Sequence, residues 1–216
     1  ADSKPLNLPM GGEGKWFEHV PDLDEMVEDK KRKREKKGAS AAGAGADGAD
    51  AEALKVRAQQ LLEAEVMRYD RAGKGQRRDG PGQNNSEFLK KVLGSGTLTD
   101  KMASMTLMVQ EAPMVRLAVL DMLLKMASRR GKREHALAID TLKDLFDNDL
   151  LPDRKLVYFD QQPLGRAAAL HDDEARDRVL VFWWFEDAMK RRFGEFVASL
   201  EQATHDTLVH VRSKVV

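Results

Sequence analysis

The chain has 216 residues, no cysteine, and as many Lys and Arg (36) as Asp and Glu (36). That length suffices for one good core or two small ones, and the balanced charge excludes a global field that would draw the chain to nucleic acid or a membrane. Without cysteine there is neither a disulfide framework nor a thiolate zinc site, and no run approaches the roughly 20 apolar residues needed to span a bilayer.

Residues 1–48 read as a disordered arm. "LNLPMGGEG" is punctuated by Gly and Pro, and "GASAAGAGADGAD" is low-complexity. Neither can bury enough apolar surface to offset chain entropy. The exception is "KWFEHVPDL", where Trp16, Phe17, Val20 and Leu23 cluster. An aromatic pair in such an arm is either a docking peptide for a partner or a local contact with the chain's own body. The block Lys30, Lys31, Arg32, Lys33, Arg34, Glu35, Lys36, Lys37 is the strongest local signal, with seven basic residues of eight. Its readings are a nuclear-import address, a contact to a phosphate backbone, or plain solvated charge; the first is preferred. The arm begins without an apolar signal-peptide core or an initiator Met. The chain also stops at "VRSKVV" in mid-pattern, so a fragment of something longer is expected.

Over 49–72, Leu54, Ala58, Leu61, Leu62, Val66 and Tyr69 recur at three- and four-residue steps, which predicts an amphipathic helix. Residues 73–85 read as a linker by their Gly, Pro and Asn. From 86 to 216 the chain reads as one all-α domain, truncated at its C-terminus. Ser86 caps a short helix over 87–93, and Thr97 or Thr99 caps the next. Pro113 falls in the first turn of a nearly all-apolar helix. Another helix follows at about 133–147, then a turn with Asp149 or Asp153 as a cap. "LVYF" is one short strand or a helical turn. A long helix spans about 173–203, and a further one starts at Asp206. Helices of this length with short connections point to a HEAT/armadillo-like α-solenoid. The closing "HDTLVHVRSKVV" resembles the second-helix signature of such repeats.

Chemistry is hard to place on this pattern. "GSGTLTDK" (94–101) has the glycines of a phosphate loop, but that loop needs Gly-Lys-Ser/Thr after a buried strand. Here Lys101 precedes Met102 and a helix lies upstream, so the stretch reads as the end of one helix and the cap of the next. "HDDE" (171–174) is better explained by the helix dipole than by a metal, and His205 and His210 do not share a helical face. No catalytic residue, metal site, cofactor or small-molecule substrate is expected. The methionines at 102, 105, 108, 114, 122 and 126 read first as core and second as an adaptable interface. Trp183 and Trp184 are about 100° apart on a helix and cannot both face inward. One is expected inside, the other, Trp184, at a partner interface or repeat boundary. Arg129, Arg130, Lys132 and Arg133 form a basic loop that is a candidate RNA contact.

"SGTLTDK", "QEAP", "LKDLF", "LLPDRKLVYF" and the closing "HD…VR", with "GKWFEHVP" upstream, together resemble the CCAAT-binding-factor family of eukaryotic ribosome-assembly proteins, of the nucleolar-complex-protein-one type. The resemblance covers 86–216 well and 15–21 loosely. It implies a non-catalytic helical scaffold in the nucleus and nucleolus, serving maturation of the large (60S) ribosomal subunit. The partners it implies are a second nucleolar complex protein and a pre-60S particle with its pre-rRNA. The family's older name implies an alternative, a transcription regulator bound at CCAAT elements of DNA. The region that names the family lies downstream of this chain, and the Ala/Gly-rich stretch at 38–50 departs from the family pattern.

Overall fold

The computed structural model describes residues 5–6, 8–11, 14–23, 48–75, 94–129, 133–170 and 172–205, and its regular elements are helical. In chain order they are α1 (Gly48–Gly75), α2 (Leu98–Glu111), α3 (Leu117–Ala127), α4 (Arg133–Leu145), α5 (Leu164–Ala168) and α6 (Asp173–Thr204). Short 3-10 turns occupy Trp16–His19 and Phe159–Gln161, and a π-helical turn spans Phe146–Leu150. Among the described residues there is no strand. The cap of Ser86, the helix at 87–93, the block Lys30–Lys37, the loop residues Arg130 and Lys132, and the segment from Asp206 lie outside the described residues.

Helix α2 starts on the stretch that looked like a phosphate loop. Of the two threonines, Thr97 is the cap. Its hydroxyl accepts from the Asp100 amide (3.3 Å), and the Asp100 carboxylate accepts from the Thr97 amide (3.1 Å) and hydroxyl (2.6 Å). This reciprocal pair satisfies two amides at the helix start. Met102, Met105, Met108 and Val109 then line the buried face.

Two expectations around the next helices need correction. Pro113 does not open a helix. The Ala112 carbonyl accepts from Val115 (3.1 Å) and Arg116 (3.0 Å), closing a separate turn before α3 starts at Leu117. Met114 and Val115, within that turn, are buried. Nor does the stretch after α4 cap a new element with Asp149 or Asp153. Helix α4 buries His135, Ala138, Ile139, Leu142 and Leu145 at three- and four-residue steps. It then widens into the π turn, where the Leu151 amide donates to Phe146 O (3.1 Å), and Asp149 accepts from Gln110 instead (2.9 Å).

"LVYF" is neither a strand nor a helical turn as a whole: Leu156 and Val157 are irregular, Tyr158 is extended, and Phe159 begins a 3-10 turn. Helix α6 is capped by Asp172, which accepts from Glu174 N (3.1 Å) and Ala175 N (3.5 Å). At 32 residues it is roughly 48 Å long.

Helices α2, α3 and α4 pack on one another, and α6 crosses α3 while carrying α1 and α5. The middle of α6 is therefore covered on nearly every side: Val179 through Phe182, Phe185 and Met189 are all at most 1% exposed. Two apolar clusters result. The larger joins α2, α3, α4 and α6, with Phe146 stacked on Phe196 at 5.2 Å and edge-on to Phe193 at 5.3 Å. The smaller holds Leu23, Ala58, Phe159, Leu164, Leu170 and Trp183.

The expectation of a disordered arm over 1–48, broken only by the cluster at 15–23, does not hold for its described part. Leu6, Leu8, Trp16 and Leu23 are buried. Their apolar surface is removed from water by docking on the helices, which composition read along the arm alone could not reveal. The helix expected at 49–72 runs on to Gly75, so it takes the first residues of the expected linker at 73–85.

Candidate interaction surface

The densest electrostatics lie along α6. Glu186 and Asp187 are 2% and 3% exposed, and Asp177 is 8% exposed. A buried carboxylate persists only when it is paired and hydrogen-bonded, and each of these is. Arg154 donates to both oxygens of Glu186, with Nη2 at 2.9 Å, and the Val157 amide donates to the same carboxylate at 2.9 Å. Asp187 accepts from the Phe159 amide (3.2 Å) and Arg191 Nε (2.9 Å), and pairs with Lys55 of α1 (3.2 Å). Asp177 takes the fork of Arg57, also on α1, at 2.8 Å on each oxygen. Lys190 donates to Leu156 O (2.7 Å) and lies over the Tyr158 ring at 4.1 Å.

These contacts form a polar seam that fixes two separate pieces to α6: helix α1 and the irregular stretch from Arg154 to Phe159. Burial pushes the Asp187 carboxyl up, but hydrogen bonds from Arg191, the Phe159 amide and Lys55 outweigh it and hold the group below its ordinary range. The side-chain hydrogen bond with Glu186 raises the Arg154 guanidinium, and that with Asp177 raises Arg57. Asp187, Arg154 and Arg57 are thereby held in their charged forms. Sequence periodicity does not announce this seam, although Glu186 stands four residues after Phe182 and three before Met189, the spacing that puts all three on one helical face.

The expected site residues fall in different places. Trp16 is 1% exposed, its ring edge-on to Phe185 at 5.1 Å and its Nε1 donating to Leu150 O at 2.9 Å. Of the two readings for this aromatic pair, contact with the chain's own body is the one observed for Trp16. Phe17 is half-buried against the larger cluster, with Lys15 over its ring at 5.7 Å. Trp183 is buried in the smaller cluster, and Trp184, half-buried, touches both clusters at their boundary. Arg129 and Arg133 are exposed at the ends of α3 and α4, on either side of the connection that contains Arg130 and Lys132. The structure does not bring this corner together with the aromatics.

One further buried polar side chain ties two helices together. His135 is buried, with Nδ1 2.5 Å from Ala127 O, where it ties the start of α4 to the end of α3. Among the described residues no group of three or more His, Asp or Glu is arranged to hold a metal, and no helix is long and apolar enough to cross a membrane. A groove of about 670 Å³ runs between α3 and α6. It is lined by side chains of both signs, Asp121, Lys125, Arg192 and Glu195, with Arg192 paired to Asp121 at 2.7 Å. Met122 and Val197 are exposed on the same two helices, while Met102, Met105, Met108 and Met114 are core.

No family model matches the chain. It is 38% identical over 134 residues to the human CCAAT/enhancer-binding protein zeta, covering 60% of this chain and 13% of that protein. Identity to the mouse protein of the same name is 34% over 164 residues, 74% of this chain and 15% of that one. A ribosome biogenesis protein NOC1 from Chaetomium thermophilum is 28% identical over 176 residues, 74% of this chain and 16% of that protein. The chain thus spans less than a fifth of the length of each. It belongs to the CCAAT-binding-factor family, the group of CCAAT/enhancer-binding protein zeta and the NOC1-type ribosome biogenesis proteins.

Proposed function

We propose that this chain is a non-catalytic scaffold segment that serves assembly of the large (60S) ribosomal subunit in the nucleolus. The observation that carries the reading is the match, over 74% of the chain, to a protein named for ribosome biogenesis. The packing supports it. The interior charges of α6 are engaged in holding helices and an irregular stretch together, which is what a rigid platform requires.

In this reading 86–216 is a stretch of HEAT/armadillo-like helical repeat, with α2, α3 and α4 as consecutive layers and α6 as the spine. A second nucleolar complex protein docks on the faces that expose Met122 and Val197 and on the half-buried rings of Phe17 and Trp184. The basic corner of Arg129, Arg130, Lys132 and Arg133 touches the phosphate backbone of pre-rRNA in the pre-60S particle. The block Lys30–Lys37 is the nuclear-import address. Contacts of this kind are salt-dependent and indifferent to base sequence.

The names of the human and mouse relatives favour a second reading, binding to CCAAT elements of DNA. One binding series separates the two. Arg129→Glu/Arg133→Glu in the whole protein is expected to lower affinity for structured RNA at least tenfold and to flatten its salt dependence. CCAAT-bearing and scrambled duplexes should bind alike. Binding that depends on the CCAAT bases and ignores the corner would replace the RNA reading with the DNA one.

A further inference from the structure

The groove between α3 and α6 has two walls made by single helical faces. On α3, Asp121, Leu124, Lys125 and Ser128 recur at three- and four-residue steps; on α6 the lining row runs from Arg191 to Gln202, about three turns. A clamp closes one end. Arg192 reaches across with Nε 2.7 Å from Asp121 Oδ1 and Nη2 3.0 Å from Oδ2, while its Nη1 donates to Ala188 O at 3.0 Å. Leu124, 5% exposed, belongs to the larger apolar cluster and gives the groove a buried apolar floor. Beyond the clamp the lining side chains are short, Ser128 on α3 and Ala198 and Ser199 on α6, which lets another backbone come close.

Two charges in this groove are left over. Asp121 is matched by Arg192, and Arg191 by Asp187 at 2.9 Å. Lys125 and Glu195 are exposed, and neither has an ion pair with a described residue. They stand on opposite walls, the cation on α3 and the anion on α6. A phosphate backbone fits such a groove poorly, because it gains Lys125 and is repelled by Glu195. A small apolar ligand meets one buried leucine in a lining that is otherwise mostly polar, too little to bury most of its surface. A protein helix answers both walls. Its residues three and four apart project side by side, so it can carry both signs beside an apolar stripe.

We propose that this groove seats an α-helix of a partner protein, with the helix's apolar stripe over Leu124 and Ala198, an acidic side chain at the Lys125 wall and a basic side chain at the Glu195 wall. The two lone charges then set which helix is accepted and in which direction it lies, as flanking charges do in a coiled coil. The inference rests on the scaffold reading, in that this chain docks protein partners, and adds a site and the chemistry of the docked element.

A photoreactive benzophenone side chain in place of Ser128, in the whole protein in cells, tests this. The same group in place of Leu107, 50% exposed on α2 and outside the groove, is the control. The expected crosslink from the groove is to one protein segment with apolar residues at three- and four-residue spacing and both an acid and a base beside them. Lys125→Glu and Glu195→Lys should each lower its yield roughly tenfold, by setting like charges together, and leave crosslinks from the control position unchanged. The double change Lys125→Glu/Glu195→Lys should be rescued when the acid and the base of the captured segment are exchanged. Both side chains are exposed, so the urea midpoints of the variants should match that of the unaltered protein. A lowered midpoint would show that these charges serve the fold and would overturn the proposal. Crosslinks from the groove to RNA, no crosslink, or protein crosslinks indifferent to the charge reversals would overturn it as well. If pre-rRNA is still recovered with the protein in that event, this inference falls alone and the scaffold reading stands.

Discussion

Arg154 and Glu186 meet across 32 residues of sequence, the arginine half-exposed and the glutamate 2% exposed, with Arg154 Nη2 at 2.9 Å from Glu186 Oε2. The pair has unequal ends. Water screens the guanidinium, but the carboxylate has nowhere else to turn. Truncating the arginine leaves a buried charge with only the Val157 amide and Gln162 nearby.

Arg154→Ala is therefore expected to destabilise the chain by about 2 kcal/mol. That is below the full cost of breaking a buried pair, because Arg154 is screened. Arg154→Lys should recover only part of the loss, since an ammonium cannot reproduce the two-pronged contact. Urea denaturation of the three proteins measures this. Equal stability of the alanine and arginine forms would mean that the seam does not hold the 154–159 stretch.

Asp187 makes the seam pH-dependent. Its folded carboxyl sits below the ordinary range, so its contribution is fully present above the unfolded value of about 4 and is lost as pH falls through the lower folded one. The acid limb of the stability curve should thus fall below about pH 4, and Asp187→Asn should flatten it. At neutral pH the same change is expected to cost about 2 kcal/mol, because Lys55 and Arg191 lose their shared partner. Denaturant midpoints from pH 2 to pH 7 provide the comparison, and parallel curves for both proteins would refute the linkage.

Thr97→Ala removes the cap of α2. The expected cost is about 1 kcal/mol. A second readout is specific to the pair: the side-chain hydrogen bond from Thr97, followed by that from its amide, holds the Asp100 carboxyl below its ordinary value. In the alanine variant that carboxyl should titrate closer to an ordinary aspartate by NMR. An unchanged titration would assign the depression to the helix start alone.

Gly194 lies exposed inside α6, and a Cβ there would meet nothing within 4 Å. Gly194→Ala should accordingly stabilise the chain by about 1 kcal/mol, raising the urea midpoint at constant slope. A loss of stability would mean that the backbone at this point needs the freedom of glycine.

Much of the fold was legible because its signals are local. The cap of α2 by one of two nearby threonines, the extent of α4 and the extent of α6 each depend on residues within a few turns of one another. What could not be read depends on distant partners. Trp16 needs a carbonyl 134 residues away, freed by a π turn that no propensity announces. The acids of α6 need Arg57, Lys55 and Arg154, which come from two other parts of the chain. Pro113 suits a first helical turn by pattern, but it lies in a separate turn closed on the Ala112 carbonyl, with Met114 packed in the cluster that joins α2, α3, α4 and α6.

The central claim is that this chain is part of a ribosome-assembly scaffold. Crosslinking of the whole protein to RNA in cells, followed by sequencing, tests it most directly. The expected result is precursor large-subunit rRNA, with crosslinked peptides that include the 129–133 corner. Recovery of no pre-rRNA, or of CCAAT-bearing DNA in its place, would contradict it.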